Sequence, residues 1–154
     1  MLRKIAELLC REAVILELSS RDKEGVILEL AQPLARAGLV SDTDGFVSAI
    51  LRRENLESTG VGLGVAIPHA RTDTVSTTVL AFGRSAVGID FASLDGKPSH
   101  LVFLIAAPES AKRDYISTLA KVSGLMRRGE VRTELNRAKT VEEVYAVLEQ
   151  NDQL

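Results

Sequence analysis

The chain of 154 residues has a single cysteine, Cys10, so no internal disulfide can form. That fits a reducing compartment. It has only two histidines, His69 and His100, and with one cysteine at scattered positions they make a poor metal site. No apolar run approaches the roughly eighteen residues that a membrane span needs. The opening MLRKIAELLCRE is broken by charges at short spacing, unlike a signal peptide. Nineteen basic residues stand against twenty-one acidic ones, a net charge of -2. That near balance points away from nucleic acid and from anionic membrane surfaces. The expectation is a cytoplasmic domain without membrane insertion.

What the chain does contain is enough apolar material, 45% of residues, for the core of one domain covering residues 1–154. Cys10, inside IAELLC, reads as a small core residue rather than a nucleophile. A short helix is expected from Leu2 to about Cys10, then a strand over AVILEL, Ala13 to Leu18. Ser19, Ser20 and Asp22 offer N-caps for a helix that Gly38 would close. Asp42 or Thr43 caps a second helix, roughly Gly45 to Glu54, with Arg52 and Arg53 complementing the dipole at its end. TTVLAFGR, Thr77 to Arg84, reads as a strand, and GIDF, Gly88 to Phe91, as a separate extended piece after a turn. HLVFLIAAP, His100 to Pro108, is apolar at almost every position, as in a strand buried on both faces. Helices are expected over Ser110 to Arg127, Gly129 to Ala138 and Val141 to Gln150, the last with Thr140 and Glu143 as a capping box. Strands alternating with helices describe a layered α/β domain.

The distinctive stretch is TGVGLGVAIPHAR, Thr59 to Arg71. Gly60, Gly62 and Gly64 do not have the G-x-G-x-x-G spacing of a dinucleotide site, and no Gly-Lys-Ser/Thr follows as in a P-loop. GVGLG also lacks the serine of a nucleophile elbow. A tight turn and an anion-binding nest of backbone N–H groups both stay open, the turn being the plainer. Pro68 fixes the backbone just before His69. Neutral imidazole is a nucleophile near pH 7 and could accept a phosphoryl group without metal or cofactor. A hydrogen-bonded loop histidine is the plain alternative. Support for a phosphoryl group would come from an arginine fork and from hydroxyl or backbone donors. Arg53, Ser58, Thr59, the Gly60 to Gly64 amides and Arg71 are all near in sequence, and Glu54 could orient an arginine or the imidazole. His100 has no acid or second nucleophile placed with it and reads as a strand-end residue.

RRENLESTGVGLGVAIPHAR, Arg52 to Arg71, resembles the active-site segment of the enzyme IIA domains of the bacterial phosphotransferase system, fructose/mannitol type. Those domains run R-E, then T-G-(I/V)-G-x-G-(I/V)-A-(I/V/L)-P-H. The resemblance extends over essentially the whole chain and includes the nitrogen-regulatory branch. It implies a mixed central β-sheet with helices on both faces, a three-layer α/β/α architecture. It implies a phosphotransferase whose histidine, matching His69, accepts phosphate from the phosphocarrier protein HPr or its paralogue and passes it to a IIB domain. The work would be sugar uptake, docking to a membrane transporter component, or nitrogen-type regulation through protein targets. No cofactor is implied. Arg53 matches the motif arginine, Glu54 stands beside it, and Thr59 and Gly60 match the T-G. Ser58 joins them as a candidate phosphate-stabilising residue.

The sequence departs from the family at one position. Many members carry a second histidine early in the helix after the apolar strand, and Tyr115 stands there. Tyrosine can donate a hydrogen bond but cannot be a cationic partner at neutral pH. A regulatory module that keeps the fold and loses transfer is therefore the alternative, and a non-covalent anion sensor a third. Two partners docking in turn would require a shallow site with an apolar rim, for which Val61 and Leu63 are candidates.

Overall fold

The computed structural model describes residues 3–56 and 58–152. Its elements run α1 (Ile5–Leu8), β1 (Leu9–Ile15), α2 (Lys23–Arg36), α3 (Thr43–Leu56), β2 (Gly60–Gly62), β3 (Val65–Ala66), β4 (His69–Arg71), β5 (Val79–Ile89), β6 (Ser99–Ala107), α4 (Lys112–Met126), α5 (Gly129–Arg137) and α6 (Val141–Asn151). The strands form one mixed sheet in the order β1-β5-β6-β3-β2, with β4 also on β6. β1 is parallel to β5, β5 antiparallel to β6, and β3 and β4 parallel to β6.

Side-chain alternation along the strands divides the core into two layers. Ala66, Ala70, Ala81, Val102, Leu104 and Ala106 face α2 and α3. Val65, Ile67, Leu80, Phe82, Leu101, Phe103 and Ile105 face the side covered by α1, α4, α5 and α6. The Phe82 and Phe103 rings meet there at 4.9 Å between centroids. Both faces of the sheet are thus buried under helices, as the expected three-layer arrangement requires.

The helix ends follow their caps. Asp22 accepts the Gly25 N–H at 2.7 Å, and Asp42 accepts that of Gly45 at 3.1 Å. α2 closes with Gly38 N–H on the Ala35 carbonyl and Leu39 N–H on the Leu34 carbonyl, the Schellman pattern. Thr140 accepts the Glu143 N–H, while the Glu143 carboxylate reaches the Lys139 N–H, one residue short of the expected box.

Two expectations are corrected. The first helix is only Ile5–Leu8, and Leu9 and Cys10 already belong to β1, which stops at Ile15 rather than Leu18. Leu2 lies outside the described residues. A short apolar run fits either period, and pairing with the parallel strand β5 decides it. Secondly, the two extended pieces around Ser85 to Val87 are one strand, β5, and the expected turn is a bulge. Its register on β6 shifts between Arg84 and Ile89, so the exposed Ala86 and Val87 leave the ladder without ending it.

Candidate active site

β3 and β4 lie end to end along β6 in one register, interrupted at Ile67 and Pro68. Pro68 has no N–H to give, but its carbonyl accepts the Ile105 N–H at 3.0 Å, so the chain stays on line through the break. This support carries His69 to the sheet's edge nearest α4. Alternation puts its ring on the Val65 and Ile67 side, and its centroid lies 5.9 Å from that of Tyr115 on α4.

His69 is 8% exposed. Its Nδ1 meets the Ile67 carbonyl. A carbonyl only accepts, so Nδ1 carries the proton and Nε2 keeps its lone pair. Burial holds the imidazole below its ordinary value of 6.5, and the charge of Arg53 pushes the same way. The Ile67 carbonyl and Glu54 pull it up, less than burial lowers it. The ring is therefore neutral at pH 7, with Nε2 as its nucleophilic atom.

Between β2 and β3 the chain turns in two residues, Leu63 at φ 62° and Gly64 at φ 76°, the positive pair that a type I′ hairpin needs. The glycine pattern is thus a tight turn. Gly60 serves a different need: a β-carbon there would collide with Ser93 Oγ and lie 3.0 Å from Ser93 Cα. Its absence lets the β5–β6 loop close over this segment.

A cavity of about 390 Å³ is lined by His69, Arg53, Ser58, Thr59 and Gly60, with Val61, Leu94, Leu119 and Ser123 around them. Arg53, Ser58, Thr59 and Gly60 are thus brought together with His69, while Gly62, Gly64 and Arg71 do not line this cavity. The Ser58, Thr59 and Gly60 donors are engaged within the protein. The Ser58 hydroxyl donates to the Phe91 carbonyl, and its oxygen accepts the Gly60 N–H at 3.0 Å. Thr59 directs both its N–H and its hydroxyl to Glu54. The loop shapes the cavity wall, and Arg53 brings the positive charge. Glu54 has no side-chain exposure, is bonded to Thr59 and Lys23, and acts on the imidazole through its charge.

Tyr115 and Arg71 line a neighbouring cavity of about 360 Å³ that shares Arg53. Burial raises the Tyr115 phenol above its ordinary 10, against the charges of Arg53 and Arg71, so it stays a neutral donor. Val61 and Leu94 line the site and are exposed, with 46% and 90% of their surface open; Leu63, 54% open, lies in the β2–β3 turn and not in the cavity lining. Leu94 is a rim residue that sequence reasoning missed. The pairing of Lys23 with Glu54 was also missed, because nothing local connects a residue to the next helix. His100 sits at the far end of β6 with its Nδ1 on the Ser85 carbonyl at 2.8 Å, a strand-end residue. Cys10 is buried and its thiol is pushed up by desolvation, consistent with a core role. Among the described residues no group of three or more His, Cys, Asp or Glu could hold a metal ion. No described helix is long and apolar enough to cross a membrane.

Comparison with known proteins bears on this geometry. The family model described as phosphoenolpyruvate-dependent sugar phosphotransferase system, EIIA 2, matches residues 7–151. The chain is 43% identical over 149 residues to the PTS system fructose-specific EIIABC component of Bacillus subtilis, covering 97% of this chain. It spans about a quarter, 24%, of that relative's length. Nitrogen regulatory protein IIA-Ntr from Neisseria meningitidis superposes with a TM-score of 0.86 at 32% identity, over 94% of this chain and 98% of that one. The mannitol IIA of Escherichia coli, solved in complex with phosphorylated mannitol IIB, superposes with a TM-score of 0.77 at 25% identity, over 91% and 96%.

Proposed function

The chain belongs to the EIIA 2 family of the phosphoenolpyruvate-dependent sugar phosphotransferase system, and from that premise we propose that Nε2 of His69 carries the phosphoryl group. The observation that carries this assignment is the Nδ1 contact with Ile67, which leaves the lone pair on Nε2. That lone pair attacks phosphorus on the donor's phosphorylated side chain. The phosphorus–nitrogen bond forms as the donor's bond to phosphorus breaks, its electron pair returning to the donor. The Nδ1 proton stays on the Ile67 carbonyl, which disperses the positive charge that develops on the ring. Arg53 faces the equatorial oxygens, where negative charge collects. Ser58, Thr59 and Gly60 wall the phosphoryl group. The second transfer runs the same step outward.

The donor is HPr or its paralogue and the acceptor a IIB domain, docking in turn on the exposed Val61, Leu63 and Leu94. The fructose-specific and nitrogen-regulatory names of the relatives support sugar uptake and regulation equally, and the work is done in the cytoplasm. The test is intact-protein mass after incubation with phosphoenolpyruvate, enzyme I and HPr. An acid-labile gain of one phosphoryl group, absent from His69→Ala, is expected. No gain while HPr itself is phosphorylated overturns HPr as the donor.

A second reading, a module that binds without transferring, is favoured by one observation. Tyr115, not a histidine, sits 5.9 Å from the His69 ring. On the carrier reading Tyr115→His transfers at least as fast as the parent. A large loss in that variant would give the phenol a function of its own.

A further inference from the structure

Four consecutive hydrogen-bonding links lead away from the nucleophile, and they end on a residue in another helix. His69 Nδ1–H meets the Ile67 carbonyl. Ile67 N–H donates to the Thr59 carbonyl at 2.9 Å. Thr59 N–H donates to the Glu54 carboxylate at 3.1 Å, reinforced by the Thr59 hydroxyl. Glu54 Oε2 lies 3.0 Å from Nζ of Lys23, the first residue of α2. The Glu54 side chain has no exposure and that of Lys23 has 29%.

We propose that Lys23 is a positioning residue for phosphoryl transfer, acting through Glu54, Thr59 and Ile67 on the orientation of the His69 imidazole. This rests on the carrier reading above. A carboxylate without solvent needs a counter-charge as well as hydrogen-bond donors. Lys23 is a cation in contact with Glu54 and keeps that carboxylate in place to receive both Thr59 donors. Lys23 Nζ also lies 5.9 Å from the centre of the Phe91 ring, and the Phe91 carbonyl accepts the Ser58 hydroxyl. One side chain thus touches both anchors of the loop that walls the site. Glu54 follows Arg53 directly, so the same pairing fixes the helical turn that carries the arginine. The first three links donate in one sense, from Nδ1 toward Glu54, and the Lys23 ammonium donates into the same carboxylate from the other side. Lys23 is not among the residues that line the His69 cavity, so its loss should change the transfer step more than docking.

The test compares Lys23→Met and Lys23→Arg with the parent, using a phosphorylated donor and amide exchange by NMR. Lys23→Met is expected to lower kcat by about ten- to a hundredfold, the scale of a misplaced reacting group, with KM for the donor nearly unchanged. Its Thr59 amide and His69 Nδ1 proton should exchange faster than in the parent. Lys23→Arg, which keeps the charge, should restore most of both. Parental kcat in Lys23→Met overturns the proposal, as does parental exchange at Thr59 and Nδ1. Equal impairment of Lys23→Arg and Lys23→Met also overturns it, because the charge would then not be what holds the relay. Should Lys23→Met fail to fold, Thr59→Val removes one donor to Glu54 and is expected to lower kcat alone. A Thr59→Val protein with parental kcat counts against the relay. If the parent takes no phosphate, the carrier reading fails by itself, and the exchange rates still decide whether Lys23 holds His69.

Discussion

The Nδ1 proton of His69 rests on the carbonyl of Ile67, two residues back along the same edge of the sheet. The strand that presents His69 therefore also selects which of its nitrogens keeps a free lone pair. Pro68 stands between the two residues and its rigid backbone keeps that short bridge closed.

The first prediction concerns protonation. Burial lowers the His69 value in the folded state, so the unfolded chain binds this proton more readily. The sign follows: the contribution to stability is present above the ordinary histidine value and is lost as pH falls through the lowered one. Transfer should stay level from about pH 8 to about pH 6.5 and decline only below that. With only two histidines in the chain, nitrogen-resolved NMR can follow each ring. His69 should titrate below 6.5 with its proton on Nδ1. A midpoint above 6.5, or a proton on Nε2, would contradict the assignment.

Arg53 gives a second prediction. It lines the His69 cavity, and its charge pushes the imidazole down. Arg53→Ala should slow phosphorylation about a hundredfold, as removal of a group facing developing charge does. It should leave the fold intact and move the His69 titration upward. Arg53→Lys restores charge without the planar fork and should recover only part of the rate. Parental rates in Arg53→Ala would remove the arginine from the mechanism.

Gly60 separates shape from chemistry. Its missing β-carbon leaves room for Ser93 Cα and for Phe91 Cβ, which would lie 3.0 and 3.1 Å from it. Gly60→Ala should cost about 1–3 kcal/mol of stability, the usual penalty for overpacking. Denaturant midpoints measure it. Adding Ser93→Gly removes the hydroxyl from the collision and should recover part of the loss, a coupling visible in a double-mutant cycle. Additive effects of the two changes would mean that they do not meet.

How much of this was legible depends on whether the signal was local. HLVFLIAAP announced the central strand because a strand covered on both faces is apolar throughout, and β6 is Ser99–Ala107. Asp22, Asp42 and Thr140 announced helix starts because a cap acts within three residues. The start of β1 and the bulge in β5 were not legible. Each is decided by a neighbouring strand whose register the local pattern does not carry. In the site, His69 and Arg53 were assigned through the resemblance of the segment Arg52 to Arg71, since neither is distinctive by itself. The destination of the Thr59 donors was not legible, nor was Leu94, which reaches the rim from a loop that looks like an ordinary turn.

The sequence by itself determined which reactive groups stand near one another along the chain: one histidine behind a proline, with an arginine and hydroxyls near it. Residue identity is enough for that, because nucleophilicity and charge belong to the side chain. Only the tertiary structure decided which nitrogen keeps its lone pair, which side of the sheet the ring faces and what holds it there. Those depend on Ile67 bending its carbonyl back to the ring, on β6 fixing the register of β4, and on Lys23 meeting Glu54 across two helices. Each is a contact between groups that the chain keeps apart until it folds.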